Sequence, residues 1–359
     1  MTTFNDLDDA SIIERLDSEN VLDAVERFPA QCREAWTIGK AASGLPDAAG
    51  LDSTVVLGMG GSGVSGDVVQ AVVEPRLPLA LRVIKSYGPL PEWIGRNTLV
   101  FAVSYSGSTE ETVAALREAH ERGCRAVTIS SGGPLQEMAR EFAIAHVAIP
   151  PGLQPRASLG YLTLPILAVL ETMGIVSDLG TDVEEAVKVL ESLAERCDRG
   201  RPRSDNPAKD LAARIAGRIP VVYGGFGVGS TAAYRFKCDL NEYGKTPAFW
   251  NVLPELDHNE IVGWDRLSDL TSKNFVLILL RDAAEHPRVS FRFEITRRLI
   301  ESSFNEVVEV EAEGSAALSQ LLSLTFVTQL AAIYVGLAYG VDPGPVEVIQ
   351  KLKSELSRR

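Results

Sequence analysis

Histidine and cysteine are both scarce in this chain, with four of each among 359 residues. Cys32, Cys124, Cys197 and Cys238 stand far apart and form no CxxC pair. That spacing argues against a disulfide framework or a cysteine-bound zinc cluster, and it fits a reducing cytoplasm. Neither HxH nor HExxH occurs, so a His-rich metal site has little to start from and no metal is expected. Basic charge is also short. Lys and Arg number 35 against 48 Asp and Glu, a net charge of −13, and no long basic stripe runs along the chain. This disfavours nucleic-acid binding. The stretch Met1–Asp9 is polar and acidic, without the basic and apolar regions of a signal peptide. The longest apolar stretch, about Leu318 to Tyr339, is interrupted by Ser319, Gln320, Ser323, Thr325, Thr328 and Gln329. It reads as a buried helix rather than a membrane span. What is present, 45% hydrophobic and 23% charged residues, describes a soluble globular chain with room for two domains.

The segment before Ser53 reads as mainly helical, with apolar periodicity around Ser18–Trp36. From Ser53 the pattern becomes strand, glycine-rich turn, helix, repeated. Strands are expected at Thr54–Leu57, Leu81–Ile84, Thr98–Val103, Ala126–Ile129 and Ala145–Ile149. Helices fit at Val64–Val73, Thr109–Arg122, Leu135–Glu141 and Leu159–Met173. A charged helix, Val183–Arg196, and the breaker-rich run Arg199–Pro207 then read as a connection. The alternation restarts with strands Ile219–Tyr223, Phe275–Leu280 and Val307–Val310, and helices near Ser230–Leu240, Ser290–Ser302, Ala316–Tyr339 and Pro345–Leu356. Such alternation predicts an α/β fold with parallel sheets covered by helices on both faces. Two glycine-rich strand-to-helix turns, GMGGSGVSG and GGFGVGS, suggest two copies of one doubly wound domain. The expected limits are 1–175, with N-terminal helices over 1–48, a connection at 176–208, and a second domain at 209–359.

Gly58-Met-Gly-Gly-Ser-Gly63 follows a strand and opens a helix, so its backbone can approach an anion and offer it free N–H groups. The string also fits the dinucleotide fingerprint, but the acidic residue wanted about 20 positions later is replaced by Lys85-Ser-Tyr. The stronger signal is Ser104-Tyr-Ser-Gly-Ser-Thr-Glu-Glu-Thr112. One hydroxyl is enough for a helix cap, and a capping box is the plain alternative. A cluster of neutral hydroxyls at a helix N-terminus suits a phosphoester dianion held without a lysine.

These two motifs resemble the SIS domain that binds phosphorylated sugars. The resemblance implies phosphate contacts from Gly60, Gly61, Ser62, Ser104, Ser106 and Thr109.

The densest run of reactive side chains is Asn241–Glu260. Glu242 closes a helix carrying Arg235, Lys237 and Asp239; a carboxylate at the negative end of a helix dipole is a setting for a general base, with an exposed surface glutamate as the alternative. His258 lies in a polar loop between Asp257 and Asn259. His120, His146 and His286 fall in a charged helix, on a strand and in a turn, where structural or solvent roles are expected. Arg156 sits in a Pro-flanked loop before a long helix, placed to donate to an enediolate or simply to face solvent.

This region, and most of the chain with it, resembles the bifunctional phosphoglucose/phosphomannose isomerases. The resemblance implies a cofactor-free aldose–ketose isomerase of hexose 6-phosphates, cytoplasmic and acting in glycolysis and gluconeogenesis. It implies Glu242 as the base moving a proton between C1 and C2, Arg156 as the enediolate donor, and His258 in ring opening, donated across a homodimer. It also implies a ring-opening lysine near the C-terminus. Lys351 and Lys353 both qualify; Lys353 borders the apolar stripe Val348, Ile349, Leu352 and Leu356 and is the expected one. About two turns earlier stands Val346, where relatives carry threonine and glucose-only enzymes a bulkier glutamine. The alternative reading is a non-catalytic SIS protein that binds a sugar phosphate and regulates a partner. An isomerase of an aminated or pentose phosphate is a third.

Overall fold

A computed structural model describes residues 4–356 and 358. The chain divides into two compact units. One comprises Arg27–Glu191 and Glu313–Leu322; the other takes in the chain through Glu26, Ser192–Ala312 and the stretch from Ser323 onward.

The first unit is built on β1 (Ser53–Leu57), β2 (Ala80–Ile84), β3 (Thr98–Val103), β4 (Arg125–Ser130) and β5 (Ala145–Ala148). They form a five-stranded sheet in the order β2-β1-β3-β4-β5, every pair parallel. Every residue of β1 and β3 is buried. Parallel strands covered on both faces read as continuous apolar runs, and STVVL and TLVFAV are such runs. Val55, Leu57, Val100 and Ala102 point to one face, where they meet Leu116 and Leu135 from covering helices. The helix Leu159–Thr172 is buried from Leu159 through Leu170. Helix Phe28–Lys40 packs on it so closely that a Cβ on Gly39 would lie 2.6 Å from Ala168 Cβ.

The second unit repeats the plan with β6 (Ile219–Gly225), β7 (Phe249–Leu253), β8 (Phe275–Arg281) and β9 (Glu306–Glu311). Their order is β7-β6-β8-β9, again all parallel. The expected pair of doubly wound parallel-sheet domains is therefore present. Most expected elements occur within a few residues of their observed limits. Strand β7 and the helix Pro207–Ile215 are additions to the expected set. Helix Ala317–Ala338 is long and apolar enough to cross a membrane, and its apolar window is entirely buried within the protein. The C-terminal helix Glu347–Leu356 differs: none of its described residues is buried, and Val348 and Leu352 are 80% and 60% exposed.

Candidate active site

In the five-stranded sheet the chain runs from β1 outward to β2, then returns to place β3 on the other side of β1. At such a switch point the loops leaving two neighbouring strands diverge and open a crevice at their C-terminal ends. The loops here are the two that carry the glycine-rich and hydroxyl-rich motifs. The helix Gly60–Val73 starts within the first glycine turn, and Gly60 has a left-handed φ of 53°. Ser62 is buried in its first turn, and its hydroxyl accepts from Tyr105 N at 3.3 Å, linking the β1 loop to the β3 loop. Across that second loop, the Ser104 and Thr109 hydroxyls meet at 2.8 Å, and those of Ser106 and Ser108 at 3.0 Å.

The pairing of Ser104 with Thr109 bears on the capping alternative. Thr109 does stand at the N-cap of the helix Glu110–Glu121, but its side chain makes no capping bond. Its hydroxyl is turned into the loop toward Ser104 instead. Gly107, at φ 69°, lets the loop close against its neighbour; a Cβ there would come within 1.8 Å of Gly132 O.

Arg156 belongs to the same place. It lies in the short 3-10 turn Pro155–Ala157 and is 5% exposed, so the solvent-facing alternative does not apply. The turn lies directly against the glycine loop: a Cβ on Gly61 would sit 2.8 Å from Pro155 O and 3.4 Å from Arg156 N. Buried Gln31 fixes it from behind, donating to Ala157 O at 3.0 Å and accepting from Gly160 N at 2.7 Å. Beside the same glycine loop, Lys85 at the end of β2 forms a short ion pair with Asp67 of the Gly60–Val73 helix. Burial raises the Asp67 carboxyl above its ordinary range, with Lys85 pulling the other way. The structure thus brings Gly60, Gly61, Ser62, Ser104, Ser106, Thr109 and Arg156 to one sheet edge. The arrangement offers hydroxyls, backbone N–H groups and one guanidinium, a donor set for a phosphoester.

Glu242, His258 and Lys353 lie in the four-stranded unit. Glu242 ends the helix Val228–Glu242, as expected, and that helix carries on its buried side the bidentate i,i+4 ion pair of Arg235 and Asp239, at 2.8 and 2.9 Å. Its end is seated by two glycines. A Cβ on Gly336 would be 2.5 Å from Tyr243 O, and one on Gly244 would be 3.2 Å from Val335 Cγ1. Glu242 lines a cavity of about 420 Å³ with Asn241, Lys245, Asp342 and the start of the C-terminal helix, Val346 included. Lys351 and Lys353 are exposed on that helix and are not among the described residues lining the cavity; Lys351 lies 3.8 Å from Glu347.

His258 closes a 3-10 helix, Glu255–His258, and is exposed. The expected polar loop is thus an ordered turn held on both sides. Asp257, with a side chain 9% exposed, accepts from Arg292 at 2.8 Å and from Thr296 at 2.7 Å. Glu260 accepts short bonds from the Tyr223 hydroxyl and the Asn251 amide, and Trp264 donates to Tyr223 at 3.0 Å. Burial, with Glu260 beside it, raises the Tyr223 phenol, which keeps it a donor. Sequence reasoning missed these supports; only the acidic flanks of His258 hinted at them.

Comparison with known proteins meets these features from both ends of the chain. Residues 52–170 match the SIS domain and residues 204–356 the bacterial phospho-glucose isomerase C-terminal SIS domain. A bifunctional phosphoglucose/phosphomannose isomerase of Caldicellulosiruptor bescii is 34% identical over 337 residues, spanning 94% of this chain and 99% of that protein. Another, from Aquifex aeolicus, is 36% identical over 306 residues, 85% of this chain and 90% of its own length. The chain belongs to the bifunctional phosphoglucose/phosphomannose isomerase family. Among solved structures, a hypothetical protein of Thermus thermophilus shares the fold, with a TM-score of 0.70 at 18% identity, covering 97% of this chain and 92% of that one.

In this member of the isomerase family the two switch points are not chemically alike. Between β6 and β8 the second glycine turn again meets a loop, Arg281–Glu285. Here Asp282 itself accepts from Gly229 N at 3.2 Å, and from Ala284 N at 3.1 Å. A carboxylate of the protein stands where the first unit offers neutral hydroxyls. Burial, reinforced by the neighbouring Glu285, pushes the Asp282 carboxyl up to about 6.

Proposed function

We propose that this isomerase interconverts glucose 6-phosphate and mannose 6-phosphate with fructose 6-phosphate through a cis-enediol, without a cofactor. The observation that carries the reading is the β1–β3 cradle, whose Thr109 hydroxyl is turned from capping its helix toward Ser104. It is supported by the family, whose relatives are named for both activities. In the proposed reaction, Gly60, Gly61, Ser62, Ser104, Ser106 and Thr109 hold the phosphate. His258 and Lys353 open the ring by moving a proton between the C1 hydroxyl and the ring oxygen. Glu242 takes the C2 proton of the open aldose and returns it to C1, while Arg156 donates to the enediolate oxygen. C1 is reduced as C2 is oxidised, so the electrons balance within the substrate and no external acceptor is needed.

The partner proposed is a second copy of the chain, with His258 donated across the interface. Two features support this: His258 is exposed, and the C-terminal helix presents an uncovered apolar stripe. A cytoplasmic setting is part of the proposal, on the sequence grounds above.

The test is an assay with EDTA present, giving wild type and Glu242→Gln each of the two aldose phosphates and following fructose 6-phosphate. The expected outcome is turnover of both by wild type, falling at least ~100-fold in the variant, as loss of a catalytic base predicts. Turnover of glucose 6-phosphate alone would remove the mannose activity. Absence of turnover with phosphosugar binding retained would favour the regulatory alternative.

A further inference from the structure

The cavity beside Glu242 contains a lysine that sequence reasoning passed over. Lys245 follows the helix Val228–Glu242 by three residues and has φ 51°. That left-handed conformation disfavours any residue with a Cβ by about 1–2 kcal/mol, and glycine is the usual choice after a helix. A lysine kept there points to a use for the side chain. Its ammonium reaches three backbone carbonyls: Glu242 O at 2.5 Å, Pro345 O at 2.6 Å and Pro343 O at 3.2 Å. An ammonium has three protons to donate. With these three acceptors in place, Lys245 acts as a tie rather than as a proton donor to substrate.

The tie joins two walls of one cavity. One acceptor belongs to the residue proposed as base, at a helix end whose last carbonyls lack partners within the helix and favour a cation. The other two flank Gly344, in the segment that leads into Val346 and the C-terminal helix. That helix has no buried described residue to anchor it. Its first turn begins on Val346, whose carbonyl accepts from Ile349 N at 3.0 Å and Gln350 N at 3.2 Å. Elements with few buried contacts open most readily, so a tie at the root of this helix governs how firmly the wall is held.

We propose that Lys245 is a positioning residue, which through its three carbonyl bonds holds the Val346 wall of the cavity at a fixed distance from Glu242. The catalytic part of this inference rests on the isomerase reading above; the structural tie does not. Displacing a cavity wall by an ångström costs up to about 100-fold in rate when the reacting atoms must be held in register.

The experiment pairs hydrogen exchange with kinetics in full-length wild type, Lys245→Met and Lys245→Arg. Methionine keeps the stem and removes the charge; arginine restores donors and is the rescue. In Lys245→Met, exchange at Ile349 and Gln350 should accelerate at least ~10-fold, with the amides of Arg235–Leu240 unchanged. Its kcat should fall ~10-fold with KM moving less than ~2-fold, and Lys245→Arg should recover part of both. Unchanged exchange at Ile349 and Gln350 would overturn the tie. Faster exchange with unchanged kcat would overturn the positioning role. An inactive wild type whose Lys245→Met variant still exchanges faster would sink the isomerase reading and leave the tie standing.

Discussion

Thr109 and Asp282 show how one type of position, a loop facing a helix N-terminus at a sheet edge, is given opposite chemistry by a single side chain. Thr109 leaves its helix uncapped by its own hydroxyl and joins Ser104 in a neutral cradle. Asp282 bonds to the N–H of Gly229 with its own carboxylate. A dianionic phosphate brought to the second turn would meet that negative charge and the neighbouring Glu285. The raised Asp282 carboxyl also has a consequence for stability. Its folded value of about 6 stands above an ordinary value of 3.8, so the native state holds a proton that the unfolded chain has released. The associated stability is fully present below about pH 4 and is lost as pH rises through about 6. Asp282→Asn is neutral throughout. Thermal unfolding should therefore show the variant gaining on wild type between pH 5 and pH 8, by about 1 kcal/mol given the partial exposure of the group. A pH-independent difference between the two would mean that Asp282 titrates normally.

At the scale of elements, the helix carrying Glu242 owes its place to an approach that only glycine allows. Gly336 on the helix Ala317–Ala338 faces Tyr243 O, and a methyl there would intrude to 2.5 Å on backbone that cannot rotate away. Gly336→Ala should destabilise the protein by about 1–3 kcal/mol, as overpacking does. With Glu242 as the proposed base, it should also lower isomerase turnover by shifting that residue, read as a denaturant midpoint alongside kcat; no change in either would mean the contact yields freely. This seam was not legible in the sequence, because a lone glycine in an apolar run carries no sign of what lies opposite. The alternating pattern did expose most of the strands and helices, since β1, β3, β6 and β8 are buried apolar runs, and β1, β3 and β6 lead into glycine-containing turns. Strand β7 was missed because it lies between Pro247 and Pro254, two strand breakers, in a stretch flanked by polar and charged residues. The helix Pro207–Ile215 was missed because Asn206-Pro207 looks like a breaker. In the structure it is a start signal: Asn206 accepts from Ala208 N and Lys209 N, and Pro207 takes the first helical position. Of the site, the hydroxyl cradle was readable because four hydroxyls in six residues exceed what a cap needs. The supports of His258 and the Lys245 tie were not, since most of their partners lie 35 to 100 residues away.

For the whole molecule, the proposed reaction requires Glu242 and His258 to serve one substrate. If His258 reaches the site from a second copy, each active site of a two-fold dimer draws its base from one chain and its histidine from the other. Glu242→Gln and His258→Ala homodimers would then each carry two defective sites. Mixing the two inactive proteins and allowing subunits to exchange changes this. A mixed dimer has one site built from both altered residues and one built from the unaltered Glu242 and His258. Random reassortment makes half of the dimers mixed, each with one of two sites restored, so activity should recover to about a quarter of the wild-type value. If both residues serve the site of their own chain, every site in every combination stays defective and no activity returns. The exposed Val348 and Leu352 supply a control within the same experiment. If their helix lies in the interface, Val348→Glu with Leu352→Glu should turn the dimer into monomers by light scattering, and in that background mixing should restore nothing. Recovery that persists with both substitutions in place would instead put the exchange of His258 somewhere other than the C-terminal helix.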